Sequence, residues 1–447
     1  MRGPPRSRAA LMQAGFDYGT SNCSIGIARD GVVELMPLED GSPYIPSTLY
    51  APRPQVVLDR VEVAAEGGQS MLLDLTARSF AELRFGRAAL AEYLRAPSEG
   101  YFVKSPKSFL GARGLSEEVK ERFIGIVAAM MANVKQRAEE ASQATLDHVV
   151  IGRPINFQGY GGEEENQQAL LMLVAAAREA GFQNIAFLYE PMAAAMEYEL
   201  RLDRECHVLV VDIGGGTTDC SFVRVGPKRV RQKERQQDIL GHAGERVGGN
   251  DYDQLLALHA ITPALGFGDA LKSGLPIPNK YYVDAVSTND VNAQQRFYAR
   301  RTRERLEEMT RDAAAPERLK RLVQVQHGRL TYRVLRASED AKIELSGAGT
   351  ASIDLSFLEQ GLETTADREL LKRGCERLLV HLEGLVTEAM QQAGTKPDVV
   401  YLTGGMAGST VVRDYLARVV PSVAFVDSDH FGSVTQGLAI WAERLFA

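Results

Sequence analysis

The sequence has little cysteine, a single tryptophan, no long apolar run and no excess of positive charge. Its four cysteines, Cys23, Cys206, Cys220 and Cys375, form no C-x-x-C pair. That spacing offers neither a zinc ligand set nor a disulfide framework and suits reduced, buried thiols in a cytoplasmic protein. No stretch approaches the roughly eighteen apolar residues of a membrane-spanning helix, so no membrane partner is expected. Lysine and arginine total 51 against 58 acids, a formal charge of −7, which argues against a nucleic-acid partner. The opening MRGPPRSRAAL is basic and proline-bearing but lacks the apolar centre of a secretion signal. A disordered tail is expected over residues 1–11, with Met12 as an alternative start.

What remains is ordinary globular material, 45% apolar and 24% charged. At 447 residues the chain is too long for one hydrophobic core, so two large lobes are expected. Strand-like and helix-like stretches alternate, which predicts an α/β fold.

The most informative stretch is VLVVDIGGGTTD, residues 208–219. Val208 to Val211 suit a buried strand, and Asp212 stands at its end. Gly214, Gly215 and Gly216 carry no Cβ, so backbone amides can close on an anion there. Thr217 and Thr218 add hydroxyls. Asp219 beside a phosphate makes sense when a divalent cation lies between them. A glycine-rich β-turn between two strands is the plainer alternative.

A second stretch, GFDYGTSNCSIGIARDG at 15–31, repeats the pattern. Asp17 answers Asp212, and Thr20 with Ser21 answer Thr217 with Thr218. Two such units predict a duplicated domain whose halves each offer a loop to one polyphosphate. Two unrelated hairpins would read similarly.

Other segments frame these two. FVKSPKSFLG at 102–111 holds Lys104 and Lys107 near a proline. Helices are expected over 116–144, 163–180 and 368–392. Strands are expected before Arg153-Pro154 and over 186–189, the latter leading into Glu190-Pro191 at a helix start. GPKRVRQKER, 226–235, reads as a solvated strand pair. Gly248-Gly249 heads a helix, whose first amides suit an anion. Residues 265–335 read as irregular, then as a charged, solvent-facing helix, and 55–100 carry no legible chemistry. On the helix 336–347, Glu339, Lys342 and Ser346 share one face able to read a ribose and a purine edge, or form an ordinary polar face. Gly404-Gly405 follow a further strand, and an amphipathic helix closes the chain.

In this order, DYGTSN, the KSFLG segment, YEPMAAAMEY, VVDIGGGTTD, VGGNDYD, EDAKIELS and YLTGG resemble the nucleotide-binding domain of DnaK-type heat-shock chaperones of the Hsp70 family. The resemblance covers nearly all of the chain from about Met12. FVKSPKSFLG and IGRPINFQG look closer still to the YegD type of DnaK-like protein.

The resemblance implies an actin-like ATPase fold, with two lobes flanking a cleft that holds ATP/ADP and Mg²⁺. Lobe I would take 12–203 and 426–447, lobe II 204–425, with no peptide-binding domain expected. Asp17 and Asp212 resemble the pair that holds hydrated Mg²⁺. Gly19, Thr20, Ser21 and Asn22 resemble the first phosphate loop. Gly214, Gly215, Gly216 and Thr217 resemble the second, with Thr217 near the γ-phosphate. Lys107 matches the lysine that meets the γ-phosphate and orients water, whereas Lys104 has no counterpart. Glu190 and Asp219 resemble the remaining acids around metal and water. Pro154 resembles a switch proline coupling lobe rotation to nucleotide state; a strand-ending proline is the plain alternative. Gly248 and Gly249 resemble amides near ribose and phosphate, Glu339, Lys342 and Ser346 the adenosine-binding helix, and Gly404 with Gly405 the loop beneath it.

The chain departs from the family where adenine would lie between two arginines. Ile343 and Gly408 occupy those positions, so the cation–π share is lost. The expected function is a slow, Mg²⁺-dependent ATPase working as a monomeric conformational switch in proteostasis, with a protein client or co-chaperone as partner. A non-hydrolysing ATP-binding scaffold, a small-molecule kinase of the same superfold and an actin-like filament are the alternatives. A kinase would need a base aimed at a bound alcohol, and no aspartate beyond the Mg²⁺ set offers one.

Overall fold

The computed structural model describes residues 11–52, 82–96, 99–112, 114–157, 162–232, 234–288, 290–426 and 432–446. The tail expected over 1–11 lies outside them except for Leu11, which opens the first strand. Most of 55–100 lies outside them too.

Two sheets share one arrangement. In the first, strands run in the order Val32–Leu35, Asn22–Arg29, Leu11–Tyr18, Thr145–Arg153, Asn184–Tyr189. In the second the order is Ile239–Glu245, Thr218–Val225, Cys206–Ile213, Val399–Thr403, Ala424–Val426. Each is an antiparallel three-strand meander joined on its far side to two parallel strands. The inner parallel strands, Thr145–Arg153 and Val399–Thr403, bury Val149, Val150, Ile151, Val400 and Leu402, as sheets covered by helices require, while the outer two are only partly buried. The match extends to register: Asp17 pairs with Ser24 and Asp212 with Asp219. Each acid therefore enters its bend at the same point, as the duplicated sequence pattern predicts.

The closing helix, Ser433–Phe446, lies across the first strand and against the helix Glu190–Glu199. Its approach depends on two glycines. A Cβ on Gly15 would run into the Leu438–Ala439 backbone, and one on Gly437 into the Ala193 carbonyl. Around this contact Val150, Met192, Val208, Tyr401 and Leu438 join one core drawing on both sheets. Because backbone blocks the added methyl, Gly437→Ala is expected to destabilise the protein by at least about 3 kcal/mol, at the upper end of overpacking costs. Chemical denaturation measures this, and a loss near zero would mean the helix can shift.

Three expectations differ from the structure. The helix expected over 368–392 is two, Arg368–Gly374 and Glu376–Ala393, broken at Cys375. Gly374 lowers helix propensity there, and a Cβ on it would sit 2.8 Å from the His259 ring. The described residues of 226–235 form a loop of turns, not a strand pair, because Arg229 and Arg235 turn inward to carboxylates. Among the described residues, the charged 265–335 region holds four whole helices and the start of a fifth; one of them, Arg300–Asp312, buries only Leu306 and Met309 and faces solvent as expected.

Candidate nucleotide cleft

The two acid-bearing bends face one cleft. Asp17, Gly19, Thr20, Ser21 and Asn22 line it from the first hairpin, and Asp212, Gly214, Gly215 and Thr217 from the second. Gly404, in the left-handed region at φ 83°, lets the third loop close on the acid: a Cβ there would lie 2.5 Å from Asp212 Oδ1. Gly405 and Met406 continue this wall.

Lys107 reaches the cleft from a short 3₁₀ turn, Pro106–Phe109, entered through Ser105 in the left-handed region. Its Nζ donates to Glu190 Oε1 at 2.6 Å, and both side chains are at least nine-tenths buried. Glu190 is the first residue of its helix, where a carboxylate suits the free amides. Lys104, at the end of the preceding strand, does not line the cleft.

Asp219 sits behind the cleft wall rather than on it. The Ile155 amide and the Thr217 hydroxyl favour its charged form, yet its Oδ1 has no hydrogen-bond partner. Ile155 follows the buried Pro154, so the Arg153-Pro154 step touches the acid cluster through one amide and does not line the cleft.

Four carboxylates thus cluster around Lys107, with Glu190 and Asp219 buried and Asp17 and Asp212 partly exposed to the cleft. Burial, then the charge on Glu190, pushes Asp17 and Asp219 up to about 7. Burial and then Glu190, Asp219 and Asp17 push Asp212 well above the usual carboxylate range. Burial alone would lower the Lys107 ammonium, but Glu190, Asp17 and Asp212 outweigh it and hold it above its ordinary value.

Among the described residues, no group of three or more His, Cys, Asp or Glu is placed to grip a metal directly. The donors fit Mg²⁺ held through its own waters. They are hard oxygens, they carry surplus negative charge, and one buried oxygen on Asp219 is unpartnered.

The opposite wall comes from two helices, Gly249–Leu256 and Thr331–Gly347. Lys342 Nζ lies 2.7 Å from Asp253 Oδ1 and donates to the Gly249 carbonyl at 3.1 Å. Burial pushes Asp253 up to about 6 despite Lys342. Glu339, Lys342 and the 59% exposed Ile343 line the cleft. Ser346 does not: its hydroxyl turns back to the Lys342 carbonyl at 3.5 Å. Nor does Gly408.

The helix-head amides are already engaged. Gly248 N–H donates to Asp251 Oδ2, Gly249 N–H to the Gly214 carbonyl and Asn250 N–H to the Gly215 carbonyl, each at 2.8 Å. Gly249 still lines the cleft, while Gly248 and Gly216 pack behind it. A Cβ on Gly248 would sit 2.6 Å from Gly216 N. This pair therefore braces the second glycine loop instead of presenting free amides to an anion.

Tyr44, Asn250, Asp253, Thr403 and Met406 also line the cleft and were not singled out in the sequence. Asp253 was the most accessible of them, one helical turn after Gly249 and on its face. Tyr44 and Met406 carry no local signal.

The Hsp70 protein family model matches residues 114–264, which include Pro154, Glu190 and the second glycine loop. An HscA chaperone homologue of Tolumonas auensis is 30% identical over 54% of this chain and 36% of its own. The chaperone protein DnaK1 of Prochlorococcus marinus is 26% identical over 91% of this chain and 52% of its own. The chaperone protein HscA of Cronobacter sakazakii is 24% identical over 97% and 58% respectively. The chain spans about half the length of the curated relatives it matches. Among the described residues no helix is long and apolar enough to cross a membrane. With the same motifs in the same order and twin sheets meeting at one cleft, these matches support membership of the Hsp70 family, and with it the actin-like ATPase fold.

Proposed function

We propose that this chain binds ATP with Mg²⁺ in the cleft and hydrolyses it slowly to ADP and phosphate, using the cycle as a conformational switch in protein folding. The observation that carries this reading is the meeting of Asp17, Asp212, the buried Lys107–Glu190 pair and two glycine loops at a single cleft, with Asp219 buried behind it.

Asp17 and Asp212 would hold Mg²⁺, which would supply charge neutralisation for the phosphates. Backbone amides and hydroxyls of Gly19–Asn22 and Gly214–Thr217 cradle the phosphates. Lys107 stabilises charge at the γ-phosphate and orients the attacking water, and Glu190 fixes the lysine. Asp219 draws on the same charge balance from behind. Gly248 and Gly249 brace the second loop. Glu339 and Lys342 hold the ribose, with Lys342 steadied by Asp253, and Gly404 and Gly405 lie beneath the adenosine. Phosphoryl transfer asks mainly for such positioning and charge neutralisation.

The lobes, 12–203 with 426–447 against 204–425, open and close about the cleft, with the Arg153-Pro154 step relaying nucleotide state through Ile155 to Asp219. A client polypeptide or co-chaperone reads that state, and the protein works as a cytoplasmic monomer. The ion-paired Lys107 favours hydrolysis over a passive scaffold.

Ile343 presents an aliphatic surface to the base, without an arginine's cation–π attraction. ATP is therefore expected to bind more weakly than in members of the family that carry the arginines, and with little preference over GTP, within about tenfold on a cation–π contribution of about 1 kcal/mol. Phosphate release from purified protein, with Mg²⁺ and with chelator, tests the reading. Release that needs Mg²⁺ and is shared between ATP and GTP supports it; no release above the uncatalysed rate removes the ATPase claim.

A further inference from the structure

The helix Glu190–Glu199 has one end in the cleft and the other in a buried ionic cluster. Its ten residues are about 15 Å long at the α-helical rise. All but Tyr198 are buried, and the close approach of Gly437 to Ala193 leaves it little room to slide. At the cleft end Glu190 holds Lys107. At the far end Arg235 grips Glu199 with both terminal nitrogens, each at 2.9 Å, while its Nε donates to Asp238 Oδ2 at 2.6 Å. The Gly226 amide also donates to Glu199 Oε1 at 2.9 Å. The Arg235 and Glu199 side chains are 2% and 0% exposed. Two residues earlier, Tyr401 of the second sheet donates to Glu197 at 2.9 Å.

Buried ion pairs rarely add net stability over apolar packing, but a bidentate pair fixes geometry. Here the pair links a helix that follows the first sheet to a loop of the second. We propose that Arg235 is a positioning residue: by fixing the far end of this helix it sets where Glu190, and through it Lys107, stands in the cleft. Displacements of even about 1 Å at a reacting centre can cost 100-fold in rate, so the outer loop 226–238 has leverage over turnover without touching the cleft. Its kinetic consequence rests on the ATPase reading above; its geometric consequence does not.

The test uses the ligand-free full chain and an amine-acylating reagent, with Lys107 modification read by mass spectrometry. Lys342, equally buried and ion-paired on the opposite wall, is the control. In Arg235→Met, Lys107 is expected to react at least about tenfold faster while Lys342 stays protected, with kcat for ATP at least about tenfold lower and KM within about threefold. Arg235→Lys, which keeps the charge but not the fork, should fall between. If Arg235→Met does not fold, the double variant Glu199→Met/Arg235→Met, which removes both buried charges together, gives the same readout. A folded variant with Lys107 as protected as in the wild type overturns the proposal, as does equal exposure of both lysines. A wild-type protein without ATP turnover would sink the ATPase reading while leaving the labelling result to decide this one.

Discussion

Replacing Lys107 with alanine will lower ATP turnover by about 100-fold or more while leaving Mg²⁺-ATP affinity within about threefold, the pattern expected when a preorganised charge acts mainly in the transition state. Lys107 places its ammonium among Asp17, Glu190 and Asp212, and these three carboxylates keep it charged against burial. On the proposed reading, ground-state binding draws on the two glycine loops and on Lys342, which Asp253 holds, so it should not depend on Lys107. Lys107→Arg should rescue poorly, because a planar guanidinium cannot take the place of a compact ammonium 2.6 Å from Glu190. Single-turnover phosphate release alongside ATP titration separates the two quantities. Turnover of the alanine variant at the wild-type rate would remove Lys107 from the mechanism.

The second large effect runs against intuition: neutralising a metal-site acid will make the ligand-free protein more stable. Asp17 and Asp219 are raised from 3.8 to about 7 in the folded state, chiefly by burial. The folded protein therefore binds these protons more tightly than the unfolded chain. The stabilisation this gives is fully present below about pH 4 and is lost as pH rises through about 7. At pH 8 the charged forms oppose folding. Asp17→Asn removes one such charge and should stabilise the ligand-free protein at pH 8 by on the order of 2–4 kcal/mol, since one pKa shift unit is about 1.4 kcal/mol. The gain should shrink toward pH 5, where the wild-type carboxyl is already neutral. The same variant should lose Mg²⁺-dependent nucleotide binding, so stability and function move in opposite directions. Urea denaturation at pH 5 and pH 8 checks this; equal or lower stability of Asp17→Asn at pH 8 would mean that the charge on Asp17 does not oppose folding.

The features legible in the sequence were those written locally. An acid followed by glycines and hydroxyls marks a cleft-lining bend within a dozen residues, and its repetition announced the twin sheets. The Lys107 and Glu190 positions were found because their neighbours match a known family in order. What stayed hidden depends on partners far apart in the chain. Nothing around Asp253 announces Lys342, and nothing in a basic loop says that Arg235 turns inward to Glu199. The helix face 339–346 was read from spacing alone, which cannot see that Ser346 bonds its own helix backbone. Likewise Gly248 and Gly249 look like an open helix head until the Gly214 and Gly215 carbonyls are seen to use the amides. The break at Cys375 also has a tertiary part, the approach of Gly374 to His259.

The account turns on Asp17 and Asp212 gripping one hydrated Mg²⁺–triphosphate from opposite sheets. Calorimetric titration of ATP into wild type, Asp17→Asn and Asp212→Asn, each with Mg²⁺ and with chelator, tests it most directly. The prediction is wild-type affinity at least about tenfold tighter with Mg²⁺, roughly the worth of one charge-assisted contact, and loss of that difference in both variants. Affinity in the wild type that ignores Mg²⁺, or a Mg²⁺ effect that survives in either variant, would contradict it.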